Sequence, residues 1–216
     1  MNKQNAAKSR LFFNAQHSRQ LGRVILLNGP SSAGKSSLAK ALQCLIPEGT
    51  MLFSMDDYLA MSRGKHTTAL EAVKESGLPF IESFHASIAE AAHRGALVIV
   101  DHVIGESYSW IQDFRSRLLN TPVLFVQVTC RQDILLHREQ HRTDRPPNLP
   151  HTKRQINHIH RHFPHSLSID TTQSSPRECA SLLLQFIHHH FLPSQHPIKK
   201  QQPRHEFIFT QTIGLP

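Results

Sequence analysis

The sequence predicts an α/β domain, a parallel five-stranded sheet flanked by helices. Three observations point there. Short apolar runs alternate along the chain with stretches of helical periodicity. The runs are continuous rather than alternating, the pattern of strands buried on both faces. Most of them stop at glycine or aspartate, where a parallel sheet turns into its loops.

In chain order, residues 24–28 form the first apolar run, ending in Gly29. Apolar positions at Leu38, Ala39, Ala41, Leu42, Leu45 and Ile46 predict a helix over 36–46, closed by Pro47. A second strand over 51–55 stops at Asp56-Asp57. A helix over 80–93 stops at Arg94-Gly95, and a third strand over 96–100 stops at Asp101. A helix over 109–119, a fourth strand over 123–129 and a helix over 134–142 follow. Residues 144–150 carry three prolines and read as a loop. A helix over 152–162, a fifth strand over 167–170 and a helix over 177–191 complete the pattern. The expected organisation is a basic polar arm at 1–20, one domain at 21–191 and a basic polar tail at 192–216.

Charge narrows the partners. Lys and Arg number 24 against 16 Asp and Glu, and no acidic residue precedes Glu48. That excess favours nucleotides, nucleic acid or an anionic surface. Three scattered cysteines, Cys44, Cys130 and Cys179, read as small core residues rather than a disulfide framework. No run approaches the ~20 apolar residues of a membrane span, and no signal-peptide core is present, so a cytoplasmic protein is expected. His158, His160 and His162 stand two residues apart, which does not gather them on one helix face.

The stretch "GPSSAGKS" satisfies G-x-x-x-x-G-K-[ST] between a strand and a helix, the context a P-loop requires. Its glycines allow tight turns and close approach of backbone to phosphate. Its N–H groups and the following helix start form an anion nest. Gly29, Pro30, Ser31, Ser32, Ala33, Gly34, Lys35, Ser36 and Ser37 are therefore the expected nucleotide-binding residues. Lys35 would reach the β- and γ-phosphates, and the Ser36 hydroxyl would ligate Mg²⁺. The motif does not choose between ATP and GTP.

Ligands of an open parallel sheet bind beyond the strands' carboxyl ends. Asp101, closing "LVIVD", is the expected second metal-shell residue. Asp56 or Asp57, closing the second strand, would orient an acceptor hydroxyl and take its proton. Asp56 comes first and is expected to lie deepest; Asp57 reads as a cap. Arg138, Arg142 and Arg145 are spaced by four and three. They would neutralise charge on the transferred group, in a Pro-rich lid; the alternative is a solvated face or pairing with Glu139 and Asp144.

The words "NGPSSAGKSS", "MDDYLAM", "GALVIVDHV", "VLFVQVTC", "REQHRTDR", "RQINHIH" and "IDTT" occur in order over residues 22–190. Together they resemble the chloramphenicol phosphotransferase-like family of P-loop kinases. The resemblance implies a fold similar to shikimate- and nucleoside-monophosphate-type kinases. It implies an ATP- and Mg²⁺-dependent O-phosphotransferase acting on a hydroxyl of a small molecule, such as a chloramphenicol-like antibiotic or a related metabolite. It matches Asp56 to the family's catalytic base, Lys35 and Ser36 to the nucleotide loop, and Arg138, Arg142 and Arg145 to the lid. Two positions depart: Asp101-His102 stands where the family has two aspartates, and Asp56-Asp57 where it has aspartate and serine. The acceptor segment, 62–79, shows no clear match. Other readings are a zeta-toxin-like kinase of a sugar nucleotide, and a P-loop ATPase or switch with no acceptor. Nucleic acid and membrane are not the expected partners of the kinase reading.

Overall fold

The computed structural model describes residues 22–46, 49–61, 79–144 and 146–191. The arm, the tail, most of the expected acceptor segment and Arg145 lie outside the described residues. Five strands, β1 (Arg23–Asn28), β2 (Thr50–Ser54), β3 (Leu97–Asp101), β4 (Val123–Thr129) and β5 (Leu167–Asp170), form one sheet. Their order is β2-β3-β1-β4-β5, and every neighbouring pair is parallel. The described helices are α1 (Lys35–Leu45), α2 (Met55–Ala60), α3 (Phe80–His93), α4 (Tyr108–Arg117), α5 (Gln132–Gln140), α6 (Leu149–His158) and α7 (Pro176–His190). A 3₁₀ turn, Ile104–Glu106, links β3 to α4.

Side chains of a strand point alternately to the two faces of a sheet, and β1 shows why the sequence needs an unbroken apolar run. Val24 and Leu26 join a core with Ile81, Phe84, Ile88, Ile111 and Phe114 of α3 and α4. Ile25 and Leu27 join the opposite core with Leu38 and Leu42 of α1 and Leu183 and Ile187 of α7. A central strand therefore has no solvent face. β4 behaves differently from its sequence expectation: buried and half-buried residues alternate along it.

The strand ends are level where chemistry is expected. Leu27 of β1 and Ser54 of β2 both pair with Asp101 of β3. The chain leaves β1 with β3 on one side and β4 on the other. This is the crevice position of an open α/β sheet.

Several boundaries differ from the sequence reading, each for a local reason. The second strand ends at Ser54, not Met55, because the Ser54 hydroxyl accepts from the Asp57 N–H and caps α2. Asp56 and Asp57 thus sit in a helix's first turn. The loop expected over 144–150 gives way to α6 at Leu149; Asn148 caps it and Pro150 is accommodated in the first turn, where its missing N–H costs nothing. α5 ends at Gln140, so Arg138 is helical and Arg142 lies just beyond. α7 starts at Pro176 with a capping box between Ser175 and Glu178. Cys44 is exposed and Cys130 half-buried; only Cys179 is the buried core residue expected.

Candidate active site

The phosphate loop bridges β1 and α1, and its glycines serve different ends. Gly34 has φ of 89°, the left-handed region that a side chain disfavours. At Gly29 a Cβ would stand 2.3 Å from the Val128 carbonyl oxygen of β4. Ser32 takes φ of 61° without being glycine. Its hydroxyl donates to the fully buried Glu139 at 2.6 Å, one of the contacts that hold that conformation.

Lys35 is 7% exposed, and its ammonium donates to the Pro30 carbonyl at 2.9 Å, across the mouth of the loop. The Ser36 hydroxyl donates to Asp101 Oδ2 at 2.5 Å. Burial pushes the Asp101 carboxyl above the usual range, while Lys35 and the Ser36 bond pull the other way. A cation in reach of Ser36 and Asp101 would offset that burial cost. Both are hard oxygen donors suited to Mg²⁺.

Asp56 lines the same cavity, of about 590 Å³, as the loop, Asp101 and His102. Asp57 does not. Asp56 is exposed rather than deeply set, which corrects the expectation drawn from its order in the chain. His102 is 1% exposed and neither ring nitrogen has a partner among the described residues. Burial keeps it neutral, with its pKa well below the ordinary imidazole value. It stacks on Trp110 with ring centroids 6.0 Å apart and meets the edge of Phe84. Trp110, Val103 and Met55 supply the apolar lining of this end.

The arginines divide. Arg138 donates from Nη2 to the Thr171 carbonyl at 2.8 Å and from Nη1 to its hydroxyl at 3.1 Å. That hydroxyl in turn donates to the Ala33 carbonyl at 2.7 Å, tying the end of β5 to the loop. Arg142 pairs with Asp144 at 2.5 Å and Glu139 at 3.4 Å, and its Nη1 donates to the Ser31 hydroxyl at 3.4 Å. The pairing with Glu139 and Asp144 that the sequence allowed is present, yet both arginines still line the cavity. Arg145 lies outside the described residues.

From the sequence alone, Thr171, Glu106, His151 and Gln155 have no role. Gln155 and His151 reach the loop and the β3 end from α6, and the words "RQINHIH" and "IDTT" were the available signal. Glu139, inside "REQHRTDR", was read only as a partner of arginine.

No helix among the described residues is long and apolar enough to cross a membrane. The family model for chloramphenicol phosphotransferase-like proteins matches residues 22–188. A curated protein of Mycobacterium tuberculosis, named provisionally as an O-phosphotransferase, is 28% identical over 209 residues, covering 87% of this chain and 90% of its own. Among solved structures, shikimate kinase from Acinetobacter baumannii in complex with shikimate is 19% identical with a TM-score of 0.56, over 81% of this chain and 97% of its own. The Mycobacterium tuberculosis APS kinase CysC, in complex with AMPPNP and APS, is 14% identical with a TM-score of 0.57, over 77% and 98%. The Deinococcus radiodurans tunicamycin resistance protein is 17% identical with a TM-score of 0.55, over 82% and 99%. These likenesses establish the P-loop kinase fold. With the family match over most of its length, the chain belongs to the chloramphenicol phosphotransferase-like family and is a phosphotransferase of the kinase class.

Proposed function

We propose that this protein is an ATP- and Mg²⁺-dependent O-phosphotransferase that moves the γ-phosphoryl group to a hydroxyl of a small molecule. One observation carries the reading: the phosphate loop, Asp101 and Asp56 line a single cavity. Donor, metal and acceptor chemistry can then meet without a large rearrangement.

In this reading the residues from Gly29 to Ser37 hold the phosphates, with Lys35 neutralising the β- and γ-oxygens. Ser36 and Asp101 would hold Mg²⁺, which would supply Lewis-acid polarisation of the terminal phosphate. Asp56 accepts the proton of the acceptor hydroxyl as the new P–O bond forms and the bond from the γ-phosphorus to the β–γ bridging oxygen breaks, with ADP leaving. Arg138 and Arg142 line the same cavity, and their guanidinium groups would stabilise charge on the transferred group; Arg145 would join them. The fully buried His102 and Trp110 shape the acceptor end. A chloramphenicol-like antibiotic or a related metabolite is the acceptor class implied by the family. The enzyme would work in the cytoplasm, where ATP is available, without a membrane partner.

The test is a coupled ADP-release screen over hydroxylated small molecules and nucleosides, chloramphenicol included. The expected result is an acceptor-dependent rise over basal hydrolysis. Nucleotide turnover that no acceptor stimulates would favour a switch or simple ATPase instead. A rise specific to sugar nucleotides would favour the zeta-toxin-like reading.

A further inference from the structure

Gln155 of α6 is 5% exposed, and its carboxamide spans the gap between the phosphate loop and the wall beyond β3. Its Oε1 accepts from the backbone N–H of Ser31 at 2.7 Å. Its Nε2 donates to Oε1 of Glu106 at 2.5 Å. His151, one turn earlier on α6, places its Nε2 2.9 Å from the same carboxylate oxygen and 2.8 Å from Gln155 Nε2. Chemistry fixes which way the amide faces. An N–H only donates, so the oxygen must face Ser31; a carboxylate only accepts, so the NH₂ must face Glu106.

Ser31 lies on the side of the loop toward the end of β3, where Gln155 joins it to Glu106. Its neighbours are Gln155 and Arg142, whereas Ala33, farther along the loop, is held by Thr171 on the opposite side. A phosphoryl group bound for an acceptor near Asp56 must occupy that end, so the Ser31 amide is placed to bind the terminal phosphate. One N–H makes one good hydrogen bond. Gln155 Oε1 and a terminal phosphate oxygen therefore compete for it.

We propose that Gln155 is a positioning residue that reads the donor's terminal phosphate: its carboxamide exchanges places with a γ-phosphate oxygen at the Ser31 amide, and the exchange is passed to Glu106 on the acceptor wall. The inference rests on the nucleotide reading above and adds a residue that distinguishes triphosphate from diphosphate. A diphosphate leaves the Ser31 amide with Gln155. A triphosphate takes it, freeing the carboxamide's oxygen end while its NH₂ stays on Glu106.

The test is calorimetric titration of AMPPNP and of ADP, each with Mg²⁺, into the full chain as wild type, Gln155→Ala and Gln155→Asn. Removing the competing acceptor should tighten AMPPNP roughly two- to tenfold, the worth of one net hydrogen bond. ADP should move by less than about twofold, since its phosphates do not reach that amide. Asn, one methylene shorter, should behave as Ala while keeping a polar group on α6. By NMR hydrogen exchange without nucleotide, the Ser31 amide should exchange faster in Gln155→Ala than in wild type.

Equal shifts for both nucleotides, unchanged AMPPNP affinity, or unchanged Ser31 exchange would overturn the inference while leaving the donor reading intact. Wild type that binds neither nucleotide would overturn both.

Discussion

Ser36 and Asp101 meet across the sheet's switch point: the first-turn hydroxyl of α1 donates to the last carboxylate of β3 at 2.5 Å. The meeting follows from strand order. β3 lies beside β1, with Asp101 level with Leu27 and one residue short of the end of β1. The carboxylate is buried against its own preference for water, as the upward shift of its pKa records. A group that costs stability and faces the phosphate loop points to a ligand rather than to packing.

Asp101→Asn should therefore separate function from folding. The amide keeps the size and can still accept from Ser36, but it loses the charge a divalent cation needs. Phosphoryl transfer should fall by roughly 10²-fold or more, the scale of losing one preorganised electrostatic contact. Thermal stability should hold or rise, because a buried carboxylate is gone. Steady-state rates across a Mg²⁺ titration, with a melting curve, check both parts. A large drop in Tm would mean the carboxylate holds the fold together instead.

Asp56 and Asp57 should part company on mutation. Both are exposed in the first turn of α2, yet only Asp56 lines the cavity. Asp56→Asn should lower kcat by roughly 10²- to 10⁴-fold, the usual worth of general-base catalysis, with ATP affinity retained. Asp57→Asn should stay within a few-fold of wild type. Parallel loss of ATP binding in the Asp56 variant, or similar kcat losses for both, would remove the base from this position.

The proposed nucleotide half of the site was legible because its signal is local. A strand, a fixed loop pattern and a helix start are contiguous in sequence, so Gly34, Lys35 and Ser36 could be assigned before any coordinates. Asp101 followed from the rule that chemistry sits at strand ends. The α6 contribution was not legible. Gln155 reaches Ser31 across 124 residues, and nothing in a polar, His-rich helix announces which side chain faces the loop. The reason read from the sequence for Gly29 was incomplete, since its crowding comes from β4, a contact that only strand order reveals. The order of Asp56 and Asp57 suggested depth, but the cap at Ser54 starts α2 there and leaves both exposed.

Gly29→Ala tests that crowding. The new Cβ would sit 2.3 Å from the Val128 carbonyl oxygen and 3.2 Å from its carbon, both backbone atoms that cannot swing aside. β1 and β4 would have to spread where the loop begins. The expected cost is about 1–3 kcal/mol, the range for overpacking a close-packed interior. Chemical denaturation would read it as a lower midpoint with an unchanged slope. Stability equal to wild type would show that the two strands yield freely here.

Acid should weaken the protein through a second buried imidazole, which packs edge-on against His102. The ring of His85 on α3 is fully buried, with Nδ1 2.7 Å from Asp113 Oδ2 on α4. Asp113 also accepts from Arg117 Nε at 3.0 Å through each oxygen. Burial lowers the His85 pKa, outweighing the Asp113 bond that raises it. Burial opposes ionisation of Asp113 too, but the bonds from Arg117 and His85 prevail and hold its carboxyl below the usual range. Both shifts mean that the unfolded chain binds protons more readily than the folded one, so stability falls with falling pH. The His85 contribution is complete above the ordinary value of 6.5 and is lost as pH drops from there toward the folded value. The Asp113 contribution is complete above its ordinary 3.8 and is lost only as pH falls through its lower folded value. His102, also lowered by burial, adds to the upper step. Unfolding free energies by urea at intervals from pH 8 to 5 should therefore decline below about pH 6.5 in wild type. His85→Gln keeps a donor toward Asp113 but cannot titrate, so its decline should be shallower. Asp113→Asn removes the partner that favours protonated His85, so its decline should be steeper. Identical slopes in all three proteins would show that His85 does not carry the acid response.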